Sequence, residues 1–314
     1  MPPTDRTRSS SRTGTAAGAG AKGAGTRRTL RREVPSTLGL LADAEDFAAM
    51  CGYRTFAFDD LAQYPDYLHH VDGLLRSLAA QGIHTTVALF DPEQYAGYCA
   101  ERGLDPDAAG TRARFTAELA TGGAVLPYAG QPVDELLPLL VDEAVRHATW
   151  EYATTLLSRV GSCADCGEDI GRSSFERATE ALERLIAGAG PGRHHLVCSV
   201  PTDAEQLVAV LHAQGGEEPD GPPRVDGREG LGFVTVLAAG LALGGPGGLV
   251  LRTTTDGRDR VHGWHLDRGR LTALSAAAVF NAYCTDADTG EPVSPEPGVE
   301  YCPGYEVDAP GPHR

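Results

Sequence analysis

Lysine is nearly absent from this 314-residue chain, because Lys22 is the only lysine among 27 basic residues. The rest of the chain therefore cannot form the Schiff base of a pyridoxal phosphate enzyme. It also lacks the lysine of a phosphate-binding loop and the strand lysine of a protein kinase. Arginine in place of lysine is typical of a high-GC genome, so we expect a bacterial source.

Long apolar runs are also missing. The longest run, residues 230–243, ends at a glycine-rich segment and is shorter than the roughly 20 residues that cross a bilayer. The N-terminal residues lack the apolar core, about 7–15 residues long, of a secretory signal. The seven cysteines are an odd number at low density, which favours reduced thiols over a disulfide framework. We therefore expect a cytoplasmic protein with no membrane partner.

Charge is unevenly distributed along the sequence. The whole chain carries a formal charge of −16, yet residues 1–33 hold eight basic residues and two acidic ones. Residues 1–34 are rich in Ser, Gly and Ala without an apolar period, so we expect a disordered basic tail. The acidic remainder repels phosphate backbones, so we expect nucleic-acid contact only through the tail. The partner is expected to be an unidentified protein or small molecule.

The hydrophobic pattern predicts an α/β architecture that passes into α+β. Strands at 53–58 and 83–90, with a helix between them, predict an N-terminal βαβ unit with parallel strands. Asp91, Pro92 and Gln94 predict the capped start of the next helix. The predicted parts are a tail at 1–34, an α/β part at 35–130, a helical hairpin at 131–190 and an α+β part at 191–314. The first and last folded parts can share one core.

The C-terminal part is predicted from its turns and its β-branched residues. Asp256-Gly257 and Asp267-Arg268-Gly269 separate three segments that are typical of antiparallel strands. Thr202 is interpreted as the cap of a helix that runs through Leu211. The last third is therefore expected to combine antiparallel strands with helices.

A Cys-x-x-Cys-Gly motif, Cys163 to Gly167, lies between the two helices of the predicted hairpin. Two thiolates at this spacing can bind one zinc ion from a single turn, and the glycine permits that turn. A structural zinc site needs two further ligands, and we predict Cys284 and Cys302 in that role. The cofactor predicted from this set is a structural Zn²⁺.

Two other interpretations of the motif remain open. A redox pair usually follows a strand and begins a helix, whereas a helix precedes this motif. A pair of reduced thiols packed in a helical turn needs no cofactor.

Three aspartates follow the two predicted N-terminal strands. Asp59 and Asp60 come after the first strand and Asp91 after the second. Functional groups gather beyond the carboxyl ends of parallel strands, where three carboxylates can bind a divalent metal ion. The competing interpretation is that these residues cap helices.

Two functions are compatible with these patterns. The first is a non-catalytic binding or regulatory protein with a zinc-binding turn. The alternative is a divalent-metal-dependent hydrolase that acts on a phosphate ester through Asp59, Asp60 and Asp91. No Gly-x-Ser-x-Gly nucleophile motif is present in the sequence.

Overall fold

The computed structural model describes residues 36–215, 224–286 and 289–307. The predicted basic tail at 1–34 lies outside them. The chain divides into two compact units, Met1–Val141 and Asp142–Arg314, each with its own hydrophobic core. The fold is mixed α/β, with a three-stranded N-terminal sheet and a largely antiparallel C-terminal sheet, which confirms the predicted class.

The N-terminal unit alternates short strands with helices. Its elements are β1 (Ser36–Leu40), α1 (Ala44–Cys51), a 3-10 turn (Leu61–Gln63), α2 (Tyr64–Ala80), β2 (Thr85–Leu89), α3 (Pro92–Arg102), α4 (Ala109–Gly122) and β3 (Val125–Pro127). A longer helix, α5 (Val133–Arg159), begins in this unit and ends in the next.

The strands β1 and β2 are parallel and carry helices between them, so the predicted βαβ unit is present. β3 adds to β2 in the antiparallel direction. The core beside this sheet is rich in aromatic residues. Phe47 is fully buried, and its ring centroid lies 5.4–5.6 Å from those of four others, Phe56, Phe58, Tyr64 and Tyr67.

The strand predicted at 53–58 is wrong. These residues form turns, in which the Tyr53 N–H donates to Met50 and the Phe56 N–H donates to the Tyr53 carbonyl. The first strand of the βαβ unit is instead β1. Of the aromatic residues that suggested a strand, Phe56 and Phe58 pack against Phe47 and Tyr53 packs against Tyr95. Their pattern therefore reflects packing of the side chains and not an extended backbone.

The C-terminal unit combines the second half of α5 with a large sheet and further helices. Its other elements are α6 (Ile170–Ala189), β4 (Arg193–Pro201), β5 (Gln206–Gln214), β6 (Arg224–Val225), α7 (Gly227–Leu243), β7 (Gly247–Thr255), β8 (Arg258–Asp267), β9 (Arg270–Ala273), α8 (Ala276–Tyr283) and β10 (Val299–Tyr301).

The C-terminal sheet has the strand order β10-β8-β7-β4-β5-β6, and β9 also pairs with β8. β10 is parallel to β8, and the other pairs are antiparallel. One face of the sheet shares a core with α6 and α7. Gly240 permits the close approach of α7, because a Cβ there would lie 2.4 Å from Leu266 Cδ2 and 2.8 Å from Val200 Cγ2.

The helix predicted from Thr202 through Leu211 is also wrong, because β5 occupies most of that segment. Thr202 closes a tight turn with Glu205 through backbone and hydroxyl hydrogen bonds. Beyond the turn, alternate residues from Leu207 to Ala213 are buried. That period of two belongs to a strand with one face on the core.

No helix in the described part of the chain is long and apolar enough to span a membrane.

Candidate functional site

The Cys163–Cys166 turn joins α5 to α6 and is held by its own backbone. The Cys163 N–H donates to the Glu168 carbonyl at 2.8 Å, and the Gly167 N–H donates to the Cys163 carbonyl at 2.9 Å. Ser162 and Asp169 form a bridge across the base of the turn. Gly167 has a φ of 74°, which a residue without a side chain adopts at little cost. The loop is thereby closed into a compact knuckle.

The sulfur of Cys163 is directed toward N–H donors of its own turn. The Cys166 N–H, the Asp165 N–H and the Cys166 side chain all hydrogen-bond this sulfur and lower its thiol pKa. Cys163 is half-buried and Cys166 is exposed. The turn therefore favours a thiolate at an accessible position, which is the form that binds metal ions.

The other two cysteines of the predicted zinc site lie on different elements. Cys284 is buried at the end of α8, with its sulfur 4.0 Å from the Tyr301 hydroxyl. The Cys302 sulfur, just after β10, lies 3.8 Å from the Glu300 carbonyl oxygen. Across residues 36–215, 224–286 and 289–307, no three His, Cys, Asp or Glu side chains lie close enough to share a metal ion. The four-cysteine zinc site remains a prediction.

The three predicted catalytic aspartates lie in helix-starting segments. Asp60 caps the 3-10 turn in a capping box with Gln63, whose side chain also accepts from the Asp59 N–H at 3.2 Å. Asp91 caps α3 by accepting from the N–H groups of Glu93 and Gln94 at 2.7 and 3.1 Å. Asp59 and Asp60 follow no strand, because 53–58 is not one. The capping interpretation is confirmed for Asp60 and Asp91.

The cap at Asp91 leads to a stability prediction. Asp91→Ala removes both hydrogen bonds and is expected to lower the free energy of unfolding by about 1 kcal/mol. Asp91→Asn keeps an N-capping oxygen, so its free energy of unfolding is expected to stay close to that of the wild type. Urea unfolding of both variants checks this. An asparagine variant as unstable as the alanine variant would show that the negative charge, and not the cap, is needed.

The structure also reveals a set of polar side chains that the sequence analysis did not identify. They lie on two neighbouring cross-strand rows of the C-terminal sheet. The register aligns Arg224, Gln214, Arg193 and Thr254 in one row, and His212, His195 and Arg252 in the next. Directly paired residues in antiparallel strands point to the same face, and so do residues two apart on one strand. All seven side chains therefore share one face of the sheet, and we call them the Arg/His grid.

This face is the one opposite to α6 and α7. The residues between the two rows, including His194, Ala213 and Thr253, are buried on the helical side. The grid residues are exposed or half-buried. Together with His194 and Ala213, they line a surface cavity of about 460 Å³. Beyond the row of His212, His195 and Arg252, the next cross-strand row on the same face is apolar. It consists of Val197 between Val210 and Val250. The grid is therefore a bounded polar patch.

The two arginines of the outer row differ from Arg252 in their ion pairs. The Arg252 guanidinium binds Glu296 at 2.5 Å and Asp259 at 3.1 Å, which raises the pKa of Arg252. Among the described residues, Arg193 and Arg224 form no ion pair. Within the part of the chain that the structure describes, no carboxylate therefore neutralises these two guanidinium groups.

The histidines of the inner row lie ring against ring. The His195 and His212 centroids are 4.9 Å apart at an interplanar angle of 26°. Burial, His212 and Arg252 together lower the pKa of His195. Glu229 lies in the first turn of α7. Its Oε2 accepts a hydrogen bond from the backbone N–H of His212 at 2.9 Å and lies 3.3 Å from Nδ1 of the His212 ring. Burial and, to a smaller extent, the Arg252 guanidinium oppose protonation of His195, so a negative charge at the grid would favour it.

Comparison with known proteins concerns only the N-terminal unit. A family model described as a domain of unknown function (DUF8829) matches residues 25–131. The matched segment includes Asp59, Asp60 and Asp91 but reaches neither the cysteine turn nor the Arg/His grid. No curated protein and no solved structure matches the chain.

Proposed function

We propose that this is a non-catalytic binding protein whose C-terminal unit takes an anionic small molecule at the Arg/His grid. The recognised group is a phosphate or a carboxylate, which are the planar or multi-oxygen acceptors that guanidinium groups bind best. The observation that carries the proposal is the alignment of Arg193 and Arg224 in one cross-strand row, on the open face of the sheet.

The spacing of the two arginines suits one shared anion. They lie on strands that flank β5, so two strand spacings of about 4.8 Å place their Cα atoms about 10 Å apart. Two long side chains can converge on one anion across that distance. Gln214 lies between them in the row and adds an amide donor.

Electrostatics supports the same ligand class. The chain as a whole is acidic, with a formal charge of −16, so a patch whose two outer arginines pair with no carboxylate among the described residues stands out against its surroundings. Such a patch attracts anions over several ångströms and sets their orientation. Among the described residues, the carboxylates in contact with the grid already have partners, with Glu296 and Asp259 on Arg252 and Glu229 on His212.

The alternative of a phosphate-ester hydrolase receives less support. Two of its three carboxylates, Asp60 and Asp91, are committed as capping groups. Binding at the grid needs no metal ion and no nucleophile. Anion binding would use residues of the C-terminal unit alone.

Calorimetric titration with inorganic phosphate, and separately with citrate, tests the proposal. Arg193→Gln and Arg224→Gln are each expected to weaken the better of the two ligands by at least about tenfold, since a hydrogen bond to a charged group contributes about 1.5–3 kcal/mol. The separate titrations with phosphate and with citrate distinguish recognition of a phosphate from recognition of a carboxylate.

Arg258→Gln is the matched control, because Arg258 is an exposed arginine of β8 outside the cavity. It removes the same charge and is expected to leave affinity within about twofold. Equal loss of anion affinity in all three variants would show that only net charge matters, and would contradict anion binding at the Arg/His grid. Failure of both anions to bind the wild-type protein would contradict the proposed function.

A further inference from the structure

The cysteine turn presents a half-complete metal site. Cys163 and Cys166 interact directly through their side chains, and backbone N–H groups support the Cys163 sulfur. A structural zinc ion takes four ligands in a tetrahedron, and a Cys-x-x-Cys turn supplies two of them. The turn is therefore organised for a metal ion, but it fills only half of the coordination shell.

The other cysteines and the histidines that could bind zinc belong to other parts of the chain than the Cys163–Cys166 turn. All seven cysteines lie in the described part of the chain, and so do nine of the ten histidines. Cys284 is buried against Tyr301, and Cys302 lies beside the Glu300 carbonyl. Within that part, Cys163 and Cys166 gain no third His, Cys, Asp or Glu.

We propose that Cys163 and Cys166 form half of a tetrathiolate zinc site, which the same two cysteines of a second copy of this chain complete. Two identical turns related by a twofold axis supply four sulfurs with equivalent geometry. Twofold dimers are the commonest closed assembly, and their contact uses the same surface on both copies. Residues 164–167 are all exposed, so a second turn can approach the sulfurs.

Repulsion between the two turns makes this dimer depend on the metal ion. The turn segment 160–171 contains three acidic residues, Asp165, Glu168 and Asp169, and no basic residue, so its formal charge is negative. Two such turns repel each other without a cation, whereas Zn²⁺ attracts both. The chain is therefore monomeric through this surface in the absence of metal and dimeric in its presence.

Coordination proceeds by proton release alone. Each of the four thiols gives up its proton to the buffer as its sulfur bonds to zinc, and neither the metal nor the sulfur changes oxidation state. No oxidant or further reactant is required.

The test uses the full-length chain, reduced and stripped of metal, titrated with Zn²⁺ and in parallel with Co²⁺. We expect binding to saturate at half an equivalent of metal per chain, with a doubling of mass by light scattering. Co²⁺ is expected to show the absorption bands of a tetrahedral tetrathiolate centre. Addition of a chelator is expected to return the protein to the monomer.

Cys163→Ser and Cys166→Ser are each expected to abolish both metal binding and dimerisation. Cys302→Ser is the matched control, because it removes a thiol outside the turn, and it is expected to behave as the wild type. Circular dichroism checks that each variant is folded. Removing the metal from the wild-type protein with a chelator compares the metal-bound and metal-free states without any substitution.

Three results would overturn the proposal. The first is one equivalent of metal on a monomer, and the second is loss of binding in Cys302→Ser, which would instead support ligands from the same chain. The third is no binding at micromolar zinc. The anion titration at the Arg/His grid is independent of all three results, since it uses other residues and needs no metal.

Discussion

Trp264→Ala is expected to lower the free energy of unfolding by about 3–5 kcal/mol, among the largest effects of any single substitution. Trp264 is only 1% exposed and lies in the core that the C-terminal sheet shares with α6 and α7. Its indole Nε1–H donates to the Tyr305 carbonyl at 2.8 Å, and its ring packs edge-on against Tyr305 at 5.0 Å. Alanine leaves a large cavity and removes the hydrogen-bond donor of the Tyr305 carbonyl.

Urea unfolding followed by circular dichroism measures this loss, because the substitution removes a fluorescent probe. Trp264→Phe is a milder partner that keeps most of the volume and loses the hydrogen bond. Leu231→Ala is the control, since Leu231 is 47% exposed on α7, and a loss below about 1 kcal/mol is expected. A loss of less than 1 kcal/mol in Trp264→Ala would contradict the core described for this unit.

Phe47→Ala is expected to destabilise the N-terminal unit by a similar amount, about 3–5 kcal/mol. Phe47 is fully buried, and its ring contacts Phe56, Phe58, Tyr64 and Tyr67. Aromatic pairs of this geometry contribute about 0.5–1.5 kcal/mol beyond the apolar area that they bury. Removing one ring weakens four such contacts at once.

Leu61→Ala is the control for Phe47→Ala, because Leu61 belongs to the same unit and is 51% exposed. The same unfolding measurement applies to both variants, with an expected change near zero for the control. Equal losses in the two variants would show that Phe47 is not the centre of an aromatic core.

Local signals predicted the helices well because capping and a period of 3.6 residues act within a few positions. Asp91 with Pro92 marked the start of α3, and the helix predicted between the first two strands is present as α2. The same local reasoning failed at two places. The strand predicted at 53–58 is a set of turns with packed aromatic residues, and Thr202, predicted to cap a helix, closes a polar turn before a strand. Both errors arose where tertiary packing, and not local preference, determines the backbone.

The two candidate sites differ in how far the sequence could predict them. The cysteine turn is local, since four consecutive residues and a glycine determine where its sulfurs lie. The Arg/His grid depends on the register of four strands whose residues are distant in sequence, from Arg193 to Thr254. The alternation in β5 could have shown that His212 and Gln214 share a face, but not which residues lie opposite them.

The central claim is that an anion binds at the Arg/His grid, and imidazole ¹⁵N resonances report on it directly. During titration with the anion that binds more tightly, the resonances of His195 and His212 are expected to shift saturably, assigned through His195→Gln and His212→Gln. His84, an exposed histidine of the N-terminal unit, is the internal control and is expected to remain unchanged. Unchanged His195 and His212 resonances at saturating anion, or equal shifts at His84, would contradict the account.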